Sequence, residues 1–249
     1  MVDFSIITVV KFAVSTIRRN IKSVSSQIYK NYEHIIVCHE DDLESRIIIR
    51  KLKKKNKIKL IISRDKSLYE AMNIGIKRAK GDFITFLNAD DIFKNSKVLK
   101  NVIDNIKIFP KIKSFYGNIE IMKNKKIYRK WNSGAYLRSK FFCGWHPPHP
   151  SMFIKKFVFD KYGYFDTKFK LAADYELMIR LFVVNSLSSR YISKTLIEMN
   201  HGGLSSKNMK NIILSNIEAY LSWKKNGYSF FIFIFFTKPL SKIFQFIIK

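Results

Sequence analysis

Gly81-Asp82-Phe83-Ile84-Thr85-Phe86-Leu87-Asn88-Ala89-Asp90-Asp91 is the stretch on which the fold turns. Residues 82–87 are a short apolar run without polar alternation, the pattern of a strand buried on both faces of a parallel sheet. The run ends in a small polar turn with two adjacent carboxylates. Upstream, apolar runs at 4–10, 34–37 and 58–62 alternate with helical spacing over 14–28, 43–52 and 68–79, and a further helix follows over 98–108. Gly81 lies just past the third helix, where a left-handed cap is wanted. Repeated β-α-β-α order predicts a parallel sheet with helices on both faces.

Such sheets take ligands at the carboxyl ends of their strands. Those ends are Lys11-Phe12, then residues 38–42, 63–66 and 88–91, and three of the four carry acids although acids fill only 19 of 249 positions. From residue 113 the pattern changes to short strands at 114–117, 119–122, 127–131 and 151–154, a helix over 174–184, a strand over 195–199 and a helix over 208–224.

Composition narrows the function classes. A hydrophobic fraction of 47% with 15% aromatics belongs to a folded chain. Lys and Arg number 46, for a formal net charge of +27. Lys-rich codon usage accounts for part of that; attraction to a polyanion, whether nucleic acid, anionic lipid or a diphosphate, is the physical alternative. Cys38 and Cys143 have neither disulfide-framework nor zinc spacing, which fits a reducing cytosol. The N-terminus reads as a strand rather than a signal peptide, and no run reaches the ~20 apolar residues of a membrane span. Recognition-helix, zinc-finger and RNA-binding signatures are absent, so nucleic acid is not expected as a partner. A nucleotidyltransferase would want a Gly-rich basic loop where the chain has Lys11-Phe12-Ala13.

Asp90 and Asp91 repel one another and lose hydration behind a buried strand unless a cation sits there. Mg²⁺ and Mn²⁺ use one or two carboxylates together with substrate phosphates. Asp91 as a turn or helix-capping residue is the bland alternative.

The surroundings carry a resemblance. Arg64-Asp65-Lys66-Ser67-Leu68-Tyr69-Glu70-Ala71-Met72-Asn73-Ile74-Gly75, followed by residues 81–91, closely resembles the signature of the family 2 glycosyltransferases. Phe4-Ser5-Ile6-Ile7-Thr8-Val9-Val10 is similar to that family's opening strand. His149-Pro150-Ser151-Met152-Phe153, Gly163-Tyr164-Phe165-Asp166, Ala172-Ala173-Asp174-Tyr175-Glu176-Leu177 and Gly202-Gly203-Leu204-Ser205 resemble its acceptor-side half. The likeness is nearest to bacterial exopolysaccharide and lipopolysaccharide enzymes.

The resemblance implies an α/β fold of GT-A type: a Rossmann-like, mostly parallel sheet flanked by helices, over residues 1–205. Residues 1–110 would hold the nucleotide sugar, residues 111–205 would serve the acceptor, and 206–249 would be a separate tail. It implies a nucleoside-diphosphate sugar donor (a UDP-sugar in the commonest form), Mn²⁺ or Mg²⁺, and inversion at the anomeric carbon. By position, Thr8, Val10, Cys38, Asp65, Lys66, Asn73, Asn88, Ala89 and Asp90 would contact the donor, and Asp90 with Asp91 would hold the metal. Asp174 would be the base that takes the acceptor hydroxyl's proton; a helix N-cap is its other reading.

The chain departs from the family pattern in places, and a catalytically impaired relative or one with an unusual donor is the alternative reading these departures leave open. Cys38 stands where relatives carry Asp, Lys11-Phe12 where Tyr-Asn is common, and Ser67 where Gly is usual. Asp41 and Asp42 either serve the donor or cap the next helix. His146 and His149 flank Pro147-Pro148, and His201 precedes Gly202-Gly203; each is a candidate for the acceptor or diphosphate region.

From Gly203 onward there are seven Lys, no Arg and one acid, Glu218. Residues 230–236 are wholly apolar, and Leu240, Ile243, Phe244, Ile247 and Ile248 share one helical face. That composition suits an amphipathic, in-plane helix on an anionic membrane surface, with docking onto the chain's own core as the alternative. A lipid-linked or polysaccharide acceptor at the inner face of the cell membrane follows as the expectation.

Overall fold

The computed structural model describes residues 2–53, 56–203 and 208–228. Apolar and β-branched residues build β1 (Phe4–Val10), β2 (Tyr32–His39), β3 (Ile58–Ser63) and β4 (Phe83–Phe86), separated by α1 (Ile17–Ser25), α2 (Leu43–Lys53) and α3 (Leu68–Arg78). All pairings among these four strands are parallel, in the order β3-β2-β1-β4. Then come β5 (Ile92–Phe93), α4 (Val98–Ile108), β6 (Ser114–Lys123), β7 (Lys126–Trp131), α5 (Arg138–Phe142), β8 (Phe153–Lys155), α6 (Lys156–Tyr162), α7 (Ala173–Met178), β9 (Ser189–Asn200) and α8 (Met209–Lys225).

The mostly parallel sheet expected from the sequence is instead mixed. It continues β4-β8-β6-β9-β5 with β7 also on β6, and β8, β7 and β5 all pair antiparallel. Only β6 with β9 is parallel in this half. Only the β6–β7 pair follows from a short link: residues 124–125 cannot hold the crossover helix that parallel neighbours need.

Alternation along the strands splits the core into layers. Ile7, Ile35 and Val37 face α3, α6, α7 and α8. Phe4 and Ile6 face the other side with α4, where Ile36 and Cys38 also meet α1 and α2.

Four local expectations change. Gly81 is not a left-handed cap: the helix stops at Ala79 in extended geometry (ψ 141°), and Gly81 is outside the positive-φ residues. It is glycine because a Cβ there would lie 2.5 Å from the Ser5 backbone nitrogen. Residues 114–122 form one strand, not two; the register slips around Asn118, and Gly117 lets Leu196 pass within 2.5 Å of where a Cβ would stand. The helix over 174–184 is α-helical only to Met178 and widens into a π segment over Ile179–Val184. Finally, residues 209–228 are no free tail. Ala219, Ser222 and Trp223 on α8 are buried, Trp223 completely. The apolar run at 230–236 and the face at 240–248 lie outside the described residues.

Candidate functional site

The turn after β4 gives its two carboxylates different surroundings. Asp91 is 1% exposed, while the Asp90 side chain reaches solvent. Asp91 accepts from Asn88 Nδ2 (3.1 Å) and from the Asn200 backbone N–H at the end of β9 (3.2 Å). Asn200 Nδ2 also donates to the Asp90 carbonyl (3.0 Å). Burial, then the neighbouring Asp90 charge, pushes the Asp91 carboxyl well above the usual range, and burial raises Asp90 as well. Two carboxylates lifted in this way are a place where a divalent cation lowers the free energy. No group of three or more His, Cys, Asp or Glu able to hold a metal occurs among the described residues. Mg²⁺ and Mn²⁺ need only one or two carboxylates and take their other oxygens from a ligand, so the Asp90–Asp91 pair suits either ion.

The turn is held from behind by Asn20. This fully buried amide on α1 donates to the carbonyls of Asn88 (2.8 Å) and Asp91 (3.1 Å), with Leu87 O at 3.4 Å. Asn20 is supported by Thr8 Oγ1 at 3.4 Å, and Thr8 lies 3.0 Å from His34 Nε2. Burial lowers His34 to about 3, so the ring is neutral. Thr8 thus spends its hydroxyl inside this network.

The other positions picked out for the donor fall into two sets. Asp65 is 8% exposed, accepts from the Ser63 hydroxyl, and its carbonyl lies 3.2 Å from His39 Nε2. Lys66 is exposed at the start of α3, where Ser67 accepts from Glu70 N–H (3.2 Å) and Glu70 accepts from Lys66 N–H (2.8 Å), a capping arrangement. These two residues and Asn88, with Asp90, lie at the carboxyl ends of the strands. The side chains of Val10, Cys38 and Ala89 pack together in the core instead. Burial, then the Asp42 carboxylate, pushes the Cys38 thiol up to about 11, so it is uncharged. Asn73 clamps the backbone of Phe165, accepting at 3.0 Å and donating to its carbonyl at 2.9 Å. Asp42 caps α2 through Ser45 N–H (3.1 Å) and also accepts from Phe12 N–H, which fixes the left-handed turn at Phe12 (φ 55°).

Asp174 opens α7, half-buried. Its Oδ1 accepts from the Tyr69 hydroxyl (3.1 Å) and from Tyr175 N–H (2.9 Å). Burial and the Asp174 charge hold the Tyr69 phenol well above its usual pKa, so it remains a donor. Tyr69 sits on α3, four residues beyond Asp65, and so ties the two halves of the site together. The loop before α7 is anchored from the far end of the chain. Glu218 of α8, 5% exposed, accepts from the N–H groups of Lys170, Leu171 and Ala172, each at 2.8 Å. Trp223 Nε1 donates to the Tyr175 hydroxyl (3.0 Å).

The histidines separate. His149 is buried, stacks on Phe86 (5.1 Å), and its Nε2 has no hydrogen-bond partner among the described residues. Burial lowers its pKa, with Asp174 opposing that shift. His146 packs edge-on against Trp131 and Tyr175. His201 is exposed and meets the Tyr128 ring at 4.7 Å.

Sequence reading missed Asn20, His39, Tyr69 and Glu218 as site-forming residues. Two had a signal: Asn20 falls on the same helical face as Ile17, Ile21 and Val24, and Glu218 is the sole acid after residue 203.

Known proteins are similar to this chain in sequence and in fold. The model of the family described as "Glycosyl transferase family 2" matches residues 5–163. A PGL/p-HBAD biosynthesis glycosyltransferase of Mycobacterium bovis is 29% identical over 150 residues, 59% of this chain and 57% of the relative. The UDP-Glc:alpha-D-GlcNAc-diphosphoundecaprenol beta-1,3-glucosyltransferase WfgD of Escherichia coli is 34% identical over 120 residues, 48% of this chain and 46% of the relative. The alignments thus span about half the length of these curated relatives. Among solved structures, S. aureus TarS 1-349 in complex with UDP-GlcNAc superposes with a TM-score of 0.71 at 17% identity, covering 90% of this chain and 65% of that one. That likeness is one of fold, a GT-A-like α/β architecture. With more than half of its residues matched by the family model, the chain belongs to glycosyl transferase family 2.

Proposed function

We propose that the protein is an inverting glycosyltransferase that moves a sugar from a nucleoside-diphosphate donor, a UDP-sugar first among them, to a hydroxyl of a glycan acceptor in surface polysaccharide synthesis. Residues 1–110 would bind the donor, with Asp65 and Lys66 toward the nucleotide and Asn88 with Asp90 toward the diphosphate. Residues 111–205 would present Asp174 to the acceptor. The observation that supports this most is the Tyr69–Asp174 bond, which joins the helix after the Asp65 loop to the carboxylate of the second half.

The chemistry follows from that contact. Among the described residues both hydrogen bonds to Asp174 fall on Oδ1, so Oδ2 would be the atom that takes the acceptor proton. As the acceptor oxygen forms its bond to C1, the bond from C1 to the diphosphate breaks on the opposite face, and the configuration inverts. Mn²⁺ or Mg²⁺ bound at Asp90 would supply charge stabilisation for the departing diphosphate. Asp91, already bonded twice, keeps the turn in shape so that Asp90 points outward. His149 and His146 line the region beside Asp174, and His201 the edge beyond β9.

The acceptor we favour is lipid-linked. The WfgD relative is named for a diphosphoundecaprenol substrate, and residues 206–249 are basic and apolar. Together they support a peripheral position on an anionic membrane at its cytoplasmic face. Nucleic acid is not among the partners we propose, because the strand ends carry acids where a phosphate backbone wants Lys and Arg.

The test is calorimetric titration of a panel of nucleotide sugars in Mn²⁺, in Mg²⁺ and in chelator. Donor binding that needs the cation and is lost in Asp90→Ala supports the reading. Absence of binding by any donor with either metal refutes it.

A further inference from the structure

Helix α8 has two faces of opposite character. Inward, Glu218, Ala219, Ser222 and Trp223 are buried against the α7 layer. Outward, Ile213, Ile217 and Leu221 recur every four residues and are 56%, 42% and 42% exposed. At 100° per residue, Lys210 and Lys224 fall on this same outward face, one before the apolar row and one after it. Both lysines are exposed, and the helix's only acid, Glu218, is on the buried side. Met209 and Ile212, also exposed, widen the first turn of the row.

We propose that this outer face of α8 docks on an anionic lipid bilayer, with Ile213, Ile217 and Leu221 entering the headgroup region and Lys210 and Lys224 meeting phosphate groups at either end. The inference rests on the lipid-linked acceptor reading above and moves the contact from the composition of the tail to a defined, folded surface.

Three observations select a bilayer over other occupants. An apolar row flanked by lysines on one helical face is the pattern of a helix lying in the membrane plane, its cationic ends reaching the headgroups. A second copy is disfavoured by size: a stable dimer covers ~800 Å² per partner, more than five part-exposed side chains on one helix provide. It is disfavoured by charge as well, because two such faces would bring lysines against lysines. Lastly, the sequence that follows α8, residues 229–249, has thirteen apolar residues, three Lys and no acid, so the same chemistry continues along the chain.

The docking surface and the catalytic loop are opposite sides of one helix. Glu218 holds the N–H groups of Lys170, Leu171 and Ala172, two to four residues before Asp174. A bilayer under α8 would thereby set the height of Asp174 above the membrane, where a lipid-linked hydroxyl has to arrive.

The experiment uses the full chain. Cys143, the exposed cysteine, is replaced (Cys143→Ser), while Cys38 is fully buried and does not label. Ile217→Cys then carries an environment-sensitive nitrobenzoxadiazole dye, and Lys107→Cys on α4 serves as the control position. The expected result is a blue shift at 217 with vesicles containing phosphatidylglycerol, none with phosphatidylcholine alone, and none at 107 in either case. Ile213→Ser with Leu221→Ser should weaken vesicle binding by roughly ten-fold. No shift at 217 while the protein sediments with vesicles would overturn the proposal, because contact is then elsewhere. A shift before lipid is added would also overturn it, and dilution would tell a second copy from the chain's own end. Donor titration of the Ile213→Ser/Leu221→Ser variant keeps the two readings apart: intact donor binding with lost vesicle binding leaves the enzyme reading standing.

Discussion

Two segments lead into Asp90 and Asp174, and they are clamped by opposite chemistry. The turn bearing Asp90 is held through its carbonyls by a neutral donor, Asn20, reaching back from α1. The loop before Asp174 is held through its N–H groups by a charged acceptor, Glu218, reaching from α8. The sign in each case follows the backbone. A turn leaving a strand points carbonyls at the helix behind it, and the approach to a helix N-terminus leaves N–H groups without partners. The first clamp closes within the parallel half of the sheet. The second waits for the last described helix, so the Asp174 side depends on α8 in a way the Asp90 side does not.

The largest effect is expected at Asp174. Asp174→Asn keeps the Tyr69 and Tyr175 contacts available but removes the proposed proton acceptor. Transfer should fall by ~10²–10⁴-fold, read as kcat, with donor affinity unchanged. A parallel loss of donor affinity would mean that the two loops do not divide the work.

Next comes Asp90→Ala, with an expected loss of ~10²–10³-fold in turnover and of cation-dependent donor binding. Asp91→Ala, by contrast, should lower the melting temperature as well as activity, because Asp91 is bonded to Asn88 and Asn200 inside the fold. If Asp90→Ala unfolds the protein and Asp91→Ala does not, the roles are reversed.

The clamps themselves come third. Glu218→Gln and Asn20→Ala should each cost about 1–3 kcal/mol, the range for stranding buried hydrogen-bond partners, visible as a lowered melting temperature. Their kinetics should differ. Glu218→Gln should depress kcat with little change in donor KM, and Asn20→Ala should raise donor KM. The same kinetic signature from both would erase the distinction between the loops.

Much of this site was legible in the sequence because its exposed parts sit where topology demands. Strands β1 to β4 read as continuous apolar runs, and the acids at their ends stood out in a basic chain. The supports did not stand out. Asn20 looks like one polar residue in a helix, and only its place on the Ile17–Ile21–Val24 face hints that it is buried. Glu218 lies 44 residues from Asp174, and nothing local couples them. Thr8 and Asn73 read as donor contacts because they sit inside matching motifs, yet their side chains are used on Asn20 and Phe165. The antiparallel half was harder for a different reason. β8 has three residues and β5 two, and strands that short depend on their neighbours rather than on their own pattern.

The smallest expected effect concerns pH and separates the paired acids most finely. The Asp91 carboxyl is raised by burial and then by the Asp90 charge. A carboxyl whose folded pKa exceeds its unfolded value of ~3.9 lends stability below that value and loses it as pH rises through the folded one. Asp91→Asn cannot ionise, so it does not share this loss. In chelator, the melting temperature of Asp91→Asn minus that of the native protein should therefore grow as pH is raised from the ordinary carboxylate range toward neutrality, by a few degrees. Mn²⁺ should shrink the difference, because a cation at Asp90 relieves the repulsion that raises Asp91. A difference that is flat with pH would show that Asn88 and the Asn200 N–H already compensate the buried charge, and the acidic turn would then need no cation to be stable.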